Sequence, residues 1–255
     1  MSYIDSVGSF ISGGDGDIRV MSYNLLVDSD DYDWGTPLGE RPTGAVECLR
    51  HYSPDVVGLQ EASTGWFAAF RELLYGEYEF FNPDFNDRKD YVNTALIYNV
   101  RKVRPIAGEV VVYSVSNCER MRLVNVGVFE RIADGRRFAV SSTHLDSDYP
   151  GDRTPERLIQ IGELIETAKR YKTGYGCSFI STGDMNITPD KPEYRAFTEN
   201  DVFADADEAP LSDIVDHIFH TGGVRSLHAV VVDDENARGA SDHLPLFADF
   251  AFGER

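Results

Sequence analysis

Short apolar runs recur along this chain, each long enough for one strand, and most end on a carboxylate, an asparagine or a histidine. Asn24 closes the run in "RVMSYNLL", Glu61 the run in "VVGLQEAS", and His144 with Asp146 the run in "SSTHLDS". Asp184 and Asn186 follow "FISTG", Asp216 sits in "IVDHIF", and Asp242-His243 precede "LPLF". Asn93 in "YVNTALIY" is a looser instance. Continuous apolar runs of this length suit strands covered on both faces. A polar residue at such a strand's tip lies where the sheet meets solvent. Any one of these positions alone is an ordinary turn, cap or surface residue. In "STGDMNITPD", residues 184 and 186 would share a face if the backbone stayed extended, and Gly183 would admit a close neighbour; a plain turn is the alternative.

The connections between the runs bound the fold. "RPTGAVECLRHY" and "STGWFAAFRELLYG" read as helices, the second capped by Ser63 or Thr64 and stopped near Gly76. "TPERLIQIGELIETAKRYK" reads as the longest helix, with Thr154 as cap and Pro155 in its first turn. "MRLVNVGVFERI" and "RFAVSSTHLD" flank "ADGR", whose Asp134-Gly135 pair marks a hairpin. A short helix is expected in "KPEYRAFTEN", and further strands in "SDIVDHIFH", "RSLHAVVVD" and "PLFADFAF". Strands joined partly by hairpins and partly by helices predict a mixed sheet, or two sheets, flanked by helices. One domain spanning residues 17–252 is expected, behind a flexible segment at 1–16.

Gathered at one edge, such carboxylates, asparagines and histidines would need a counter-charge, because like charges raise one another's pKa. An oxygen-rich donor set without thiolate suits Mg²⁺ or Mn²⁺. The formal charge of −19 disfavours tracking along nucleic acid, which relies on Lys and Arg at the phosphates. It also means that a phosphate ester needs a local cation to approach. The three cysteines, Cys48, Cys118 and Cys177, form no metal-spaced pair. No run approaches the roughly 20 apolar residues of a membrane span, and no basic segment precedes an apolar core near residue 1, so a cytoplasmic protein without membrane partners is expected.

The ordered series "SYN", "LQE", "THLDS", "GDMN", "VDHIF" and "SDHLP" resembles the endonuclease/exonuclease/phosphatase superfamily over nearly the whole chain. The resemblance implies a four-layer sandwich, two mixed sheets face to face with helices outside. It implies a metal-dependent phosphohydrolase that cleaves a phosphodiester or phosphomonoester by in-line attack of water. Glu61 matches the principal Mg²⁺ ligand, assisted by Asn24 and, across the site, Asp242. Asp184 matches the residue that orients or deprotonates the water, and Asn186 one that holds a phosphate oxygen. His243 matches the histidine on the scissile phosphate, with Asp216 fixing its tautomer; His144 matches a second phosphate-contacting histidine, and Asn93 its partner. Arg120 and Arg122 are candidate phosphate contacts or solvated strand residues. Nuclease action on DNA or RNA is the alternative, and a non-catalytic phosphate-binding module on the same fold is the second. Ser241 beside Asp242-His243 invites a serine-hydrolase reading, but no G-x-S-x-G elbow accompanies it.

Overall fold

The computed structural model describes residues 16–30, 35–81, 94–116, 121–149 and 151–253. Asn93, Arg120, Cys118 and the segment before Gly16 lie outside the described residues. Among those described, the elements run β1 (Ile18–Asn24), α1 (Arg41–Tyr52), β2 (Val56–Gln60), α2 (Thr64–Leu73), β3 (Tyr78–Phe81) and β4 (Thr94–Asn99). Then follow β5 (Val103–Val112), β6 (Leu123–Arg131), β7 (Arg137–His144), α3 (Thr154–Tyr175), β8 (Ser178–Asp184) and α4 (Pro192–Thr198). The last are β9 (Phe203–Asp205), β10 (Asp216–Thr221), β11 (Val224–Val231), α5 (Glu235–Ala240) and β12 (Leu246–Phe252).

The strands form two mixed six-stranded sheets, ordered β11-β12-β1-β2-β4-β3 and β5-β6-β7-β8-β10-β9. Each sheet has one parallel pair, β1 with β2 and β7 with β8. A parallel pair needs a crossover, and α1 and α3 supply the two. The sheets bury Val20, Phe129, Phe138, Ile180 and Phe250 between them. The outer face of the first sheet packs under α1, α2 and α5 through Trp66, Phe67 and Leu49; that of the second packs under α3 and α4 through Leu164, Tyr171 and Phe197. This is the expected helix–sheet–sheet–helix sandwich.

Local chemistry explains some element ends and not others. In the β6–β7 hairpin Glu130 pairs with Arg137, and Gly135 takes φ +73° in the turn, as the Asp-Gly signal requires. α3 starts at Thr154, but Thr154 does not cap it. Arg153 occupies the cap position, and the Thr154 hydroxyl donates instead to Glu193 Oε1 at 2.8 Å. Ser63 sits at the α2 cap position without capping; its hydroxyl accepts the Asp28 N–H at 3.2 Å. β9 and α5 were not foreseen, since elements of three and six residues carry too little periodicity to read.

Parallel pairing sends the C-terminal ends of β1, β2, β7 and β8 to the same end of the sandwich, where β10 begins. β1 lies over β8 and β2 over β7. Gly58 permits that closeness: a Cβ there would sit 1.8 Å from Thr182 Oγ1 and 3.1 Å from Ser142 Cβ. Just beyond it Gln60 Nε2 donates to Ser142 Oγ across the sheets at 3.1 Å. Gly183 has a similar role: the neighbour it admits is the Thr143 carbonyl, 2.5 Å from a Cβ placed there. Among the described residues no helix is long and apolar enough to cross a membrane.

Candidate active site

Strand register assembles the site. His144 on β7 and Asp216 on β10 both pair with Asp184 on β8, so three chemically active side chains stand abreast on neighbouring strands of one sheet. The facing sheet contributes Asn24 from the end of β1 and Glu61 from the residue after β2. Asn24 Nδ2 bridges the two sheets, donating to Asp184 Oδ2 at 3.0 Å and to Glu61 Oε1 at 3.3 Å. Its Oδ1 accepts the Leu26 N–H at 3.0 Å, which fixes the orientation of the amide. Glu61 Oε2 accepts the Val27 N–H at 3.1 Å. Glu61 itself takes φ +56°, an uncommon conformation for a residue with a side chain. It turns the chain out of β2 and leaves the carboxylate half-buried.

The histidines differ sharply. His243 Nδ1 lies 2.7 Å from Asp216 Oδ2, and its Nε2 lies 3.9 Å from Asp184 Oδ2. Burial opposes charge on His243, but the bond to Asp216 and the charges of Asp216, Asp184 and Asp242 prevail and push its pKa up to about 10. His144 Nε2 lies 3.4 Å from the same Asp184 oxygen. Burial, reinforced by the positive charges of Arg122 and His243, holds His144 well below the ordinary histidine range. Asp184 is 3% exposed; burial and the neighbouring Asp216 push its pKa up to about 7, against the pull of His243.

After Asp184 the chain turns. Asn186 takes φ +52°, its N–H donates to Asp184 Oδ1 at 3.0 Å, and its Nδ2 donates to the Leu145 carbonyl at 3.0 Å. The two side chains are therefore related by a turn and not by strand alternation. Asp242 stands exposed beside His243, and its charge falls on His243 and Arg41.

Some residues have roles the sequence did not disclose. Arg122 is buried; it donates to Asp146 Oδ1 at 3.1 Å and to the His144 carbonyl at 3.3 Å, so it braces the end of β7 and is no solvated strand residue. Asp146 also accepts from Gln160 Nε2 at 3.0 Å. His217 is buried, with Nε2 3.0 Å from the Ile187 carbonyl, and steadies the turn that carries Asn186. The Ser241 hydroxyl donates to the Asn24 carbonyl at 2.7 Å and accepts the His243 N–H at 3.2 Å, joining the two halves of the site. Ser241 is signalled by its place before Asp242 and His217 by its place after Asp216, where the sequence suits a structural or rim histidine; Arg122 has no such signal, since its partners are a backbone carbonyl and a carboxylate distant in sequence.

Among the described residues, Asp184, Asp216 and His243 place ligand-type atoms within 4.8 Å of one another. Within that trio the short His243–Asp216 bond already occupies one nitrogen and one oxygen. Glu61 is half-buried where Asp184 and Asp216 are buried, so its carboxylate is the more accessible. Chemically the arrangement pairs a carboxylate that can take up a proton near neutrality with a cationic imidazole that can donate from Nε2.

Residues 21–243 match the family described as Endonuclease/Exonuclease/phosphatase. The fold is similar to that of an endonuclease/exonuclease/phosphatase family protein from Bacteroides thetaiotaomicron, with TM-score 0.80 and 22% identity, covering 93% of this chain and 98% of that one. It is also similar to a mannosyl-6-phosphatase of Bacteroides thetaiotaomicron VPI-5482, with TM-score 0.78 and 21% identity over 92% of this chain and 100% of that one. The human Nocturnin catalytic domain with bound sulfate anion gives TM-score 0.74 and 22% identity over 92% and 94%. No curated protein sequence matches the chain.

Proposed function

The chain belongs to the endonuclease/exonuclease/phosphatase family, and on that premise we propose that it is a divalent-cation-dependent phosphohydrolase acting on a small phosphate ester. One observation carries the reading: His144, Asp184 and Asp216 stand abreast in register, with His243 bonded to Asp216. A hard cation fits the residues present. Glu61, Asp184, Asp216 and Asp242 are oxygen donors with no thiolate among them, and among the described residues Asp216 Oδ1 is buried without a partner. Mg²⁺ is our choice, and Mn²⁺ suits the same donors. Glu61 would hold it, with Asn24 assisting and Asp242 across the site. When bound, it would neutralise charge developing on the phosphoryl oxygens.

The remaining roles belong to the chain. Asp184 receives a proton from the attacking water, for which a pKa near 7 is well matched. Cationic His243 donates from Nε2 to a phosphate oxygen while Asp216 holds its tautomer. Neutral His144 and the second amide hydrogen of Asn186 contact the other oxygens. Asn93 and Arg120 complete the substrate contacts on the strength of the sequence.

Charge supports a small ester over nucleic acid. Exposed Asp30, Asp152, Asp190, Glu208, Asp213 and Asp242 stand on loops leaving the site end of the sheets. Such a rim repels a polyanion and tolerates one phosphate beside a cation. A mannosyl-6-phosphatase on the same fold is in keeping with that choice. The test is hydrolysis of p-nitrophenyl phosphate, bis-p-nitrophenyl phosphate and plasmid DNA, each with Mg²⁺, Mn²⁺ or chelator. We expect metal-dependent turnover of a small ester, lost in Asp184→Ala. Preferential plasmid cleavage would make the protein a nuclease. Absence of both turnover and metal binding would leave a binding module and end the enzymatic reading.

A further inference from the structure

We propose that Arg41 is a positioning residue whose one guanidinium orients the peptide units holding Asn24 and Glu61, and so sets the affinity of the site for a divalent cation. This rests on the metal site proposed above.

Arg41 opens α1, where it reads as an ordinary helix-start residue. In the fold its side chain reaches back under the site, and among the described residues its hydrogen bonds all go to backbone carbonyls. Nε donates to Pro37 O at 3.1 Å; Nη1 donates to Leu25 O and Leu26 O, both at 2.9 Å, and to Ala240 O at 3.3 Å; Nη2 donates to Thr36 O at 2.8 Å and Val27 O at 3.3 Å. The guanidinium also lies 5.0 Å from the Trp66 ring centroid, and Trp66 Nε1 donates to the same Leu26 carbonyl at 3.0 Å.

The consequence follows from the planarity of the peptide bond. The Leu25 carbonyl and the Leu26 N–H belong to one rigid unit. Arg41 grips the oxygen end, and the N–H end holds Asn24 Oδ1. The next unit runs from the Leu26 carbonyl, again on Arg41, to the Val27 N–H, which holds Glu61 Oε2. Two adjacent peptide units thus connect a single cation to two of the three residues we assign to the metal. Leu26 takes φ +56° to allow this, a conformation that persists in a leucine only where its surroundings impose it. The bond to Ala240 reaches the last residue of α5, directly before Ser241-Asp242-His243. Arg41 is therefore shared by both chain segments that flank the proposed cation.

A lysine at this position would keep the charge but lose the planar fork, and one ammonium cannot span carbonyls on both segments. Charge and geometry can thus be separated. The experiment is calorimetric titration of Mn²⁺ into the full chain, as wild type, Arg41→Lys, Arg41→Ala, Trp66→Phe and Glu61→Gln, with melting curves for each. We expect Arg41→Lys to weaken Mn²⁺ binding by about 10- to 100-fold, the range for residues that orient ligands from behind. Millimolar guanidinium should restore part of the affinity to Arg41→Ala. Trp66→Phe, which removes the N–H on the Leu26 carbonyl together with part of a buried ring, should weaken binding in the same direction by less, and covers the case of an Arg41 variant that does not fold. A purely structural role would lower the melting temperature and leave the dissociation constant of the folded protein unchanged; that result overturns the proposal. Wild-type affinity in Arg41→Lys would assign the effect to charge and also overturn it. Glu61→Gln separates the two readings. If it binds Mn²⁺ as tightly as wild type, or wild type binds none, the metal site itself is refuted and the role of Arg41 falls with it.

Discussion

His144 and His243 approach the same oxygen of Asp184 at 3.4 and 3.9 Å, yet their surroundings drive them to opposite charge states. The carboxylate behind His243 makes the difference; among the described residues His144 has none, and its Nδ1 is buried without a partner. Proton NMR of the metal-free protein should therefore find His243 protonated until about pH 10 and His144 holding a proton only well below the ordinary histidine range. In Asp216→Asn the His243 value should fall back toward the ordinary histidine range. The linkage has a definite sign. Because His243 binds its proton more tightly when folded, its stabilisation is full below about pH 6.5 and is lost as pH rises through about 10. Asp184, raised from 3.8 to about 7, costs the metal-free protein stability as pH climbs across that interval. Asp184→Asn should then have two opposed effects. Turnover should drop by about 10²- to 10⁴-fold, the usual worth of a general base, while the metal-free melting temperature at pH 8 rises. Steady-state kinetics and a chelator-treated melt, with circular dichroism as control, check both.

At the scale of elements, the site depends on β2 and β8 lying unusually close. Gly58→Ala drives a Cβ to 1.8 Å from Thr182 Oγ1, and overpacking of this kind costs about 1–3 kcal/mol. Urea unfolding should register that loss, and turnover should fall with it, because Glu61 and Asp184 are carried by the strands that must separate. Adding Thr182→Ala should recover part of both. α3 and α4 are joined by a buried pair in which Arg157 Nη2 donates to Glu193 Oε1 at 2.8 Å and Nη1 to the Asp146 carbonyl at 2.9 Å. Arg157→Met would leave Glu193, 0% exposed, as an unpaired buried carboxylate at a cost of about 3–5 kcal/mol. Glu193→Gln in the same chain should restore much of it, as the denaturation midpoint would show.

For the whole molecule the relevant quantity is charge. A net −19 with carboxylates converging on one end makes a bound cation a stabilising ligand as well as a reagent. Mg²⁺ at 100 times its dissociation constant should stabilise the fold by about 2.7 kcal/mol, seen as a raised melting temperature that chelator reverses and Glu61→Gln removes. The same field acts on substrates. Any residual cleavage of plasmid DNA should rise with added salt as repulsion is screened, the reverse of enzymes that hold DNA through many phosphate contacts.

The strand tips were legible in the order of the amino acids. Asn24, Glu61, His144, Asp184, Asp216 and His243 interrupt apolar runs, and burying a polar group without a partner is too costly to occur by accident. The alternation of hairpins and crossover helices was likewise legible, because turn chemistry and apolar periodicity are local. Which tips meet could be anticipated only through the family resemblance, and the fold is what brings them together. The register that sets His144 and Asp216 on either side of Asp184 depends on strand pairings across long stretches of chain. So do the separation of the two histidines' charge states and the hold of Arg41 on carbonyls as distant as Leu25 and Ala240. Backbone carbonyls are identical at every residue, so a side chain that works by gripping them leaves no trace in the sequence of its partners.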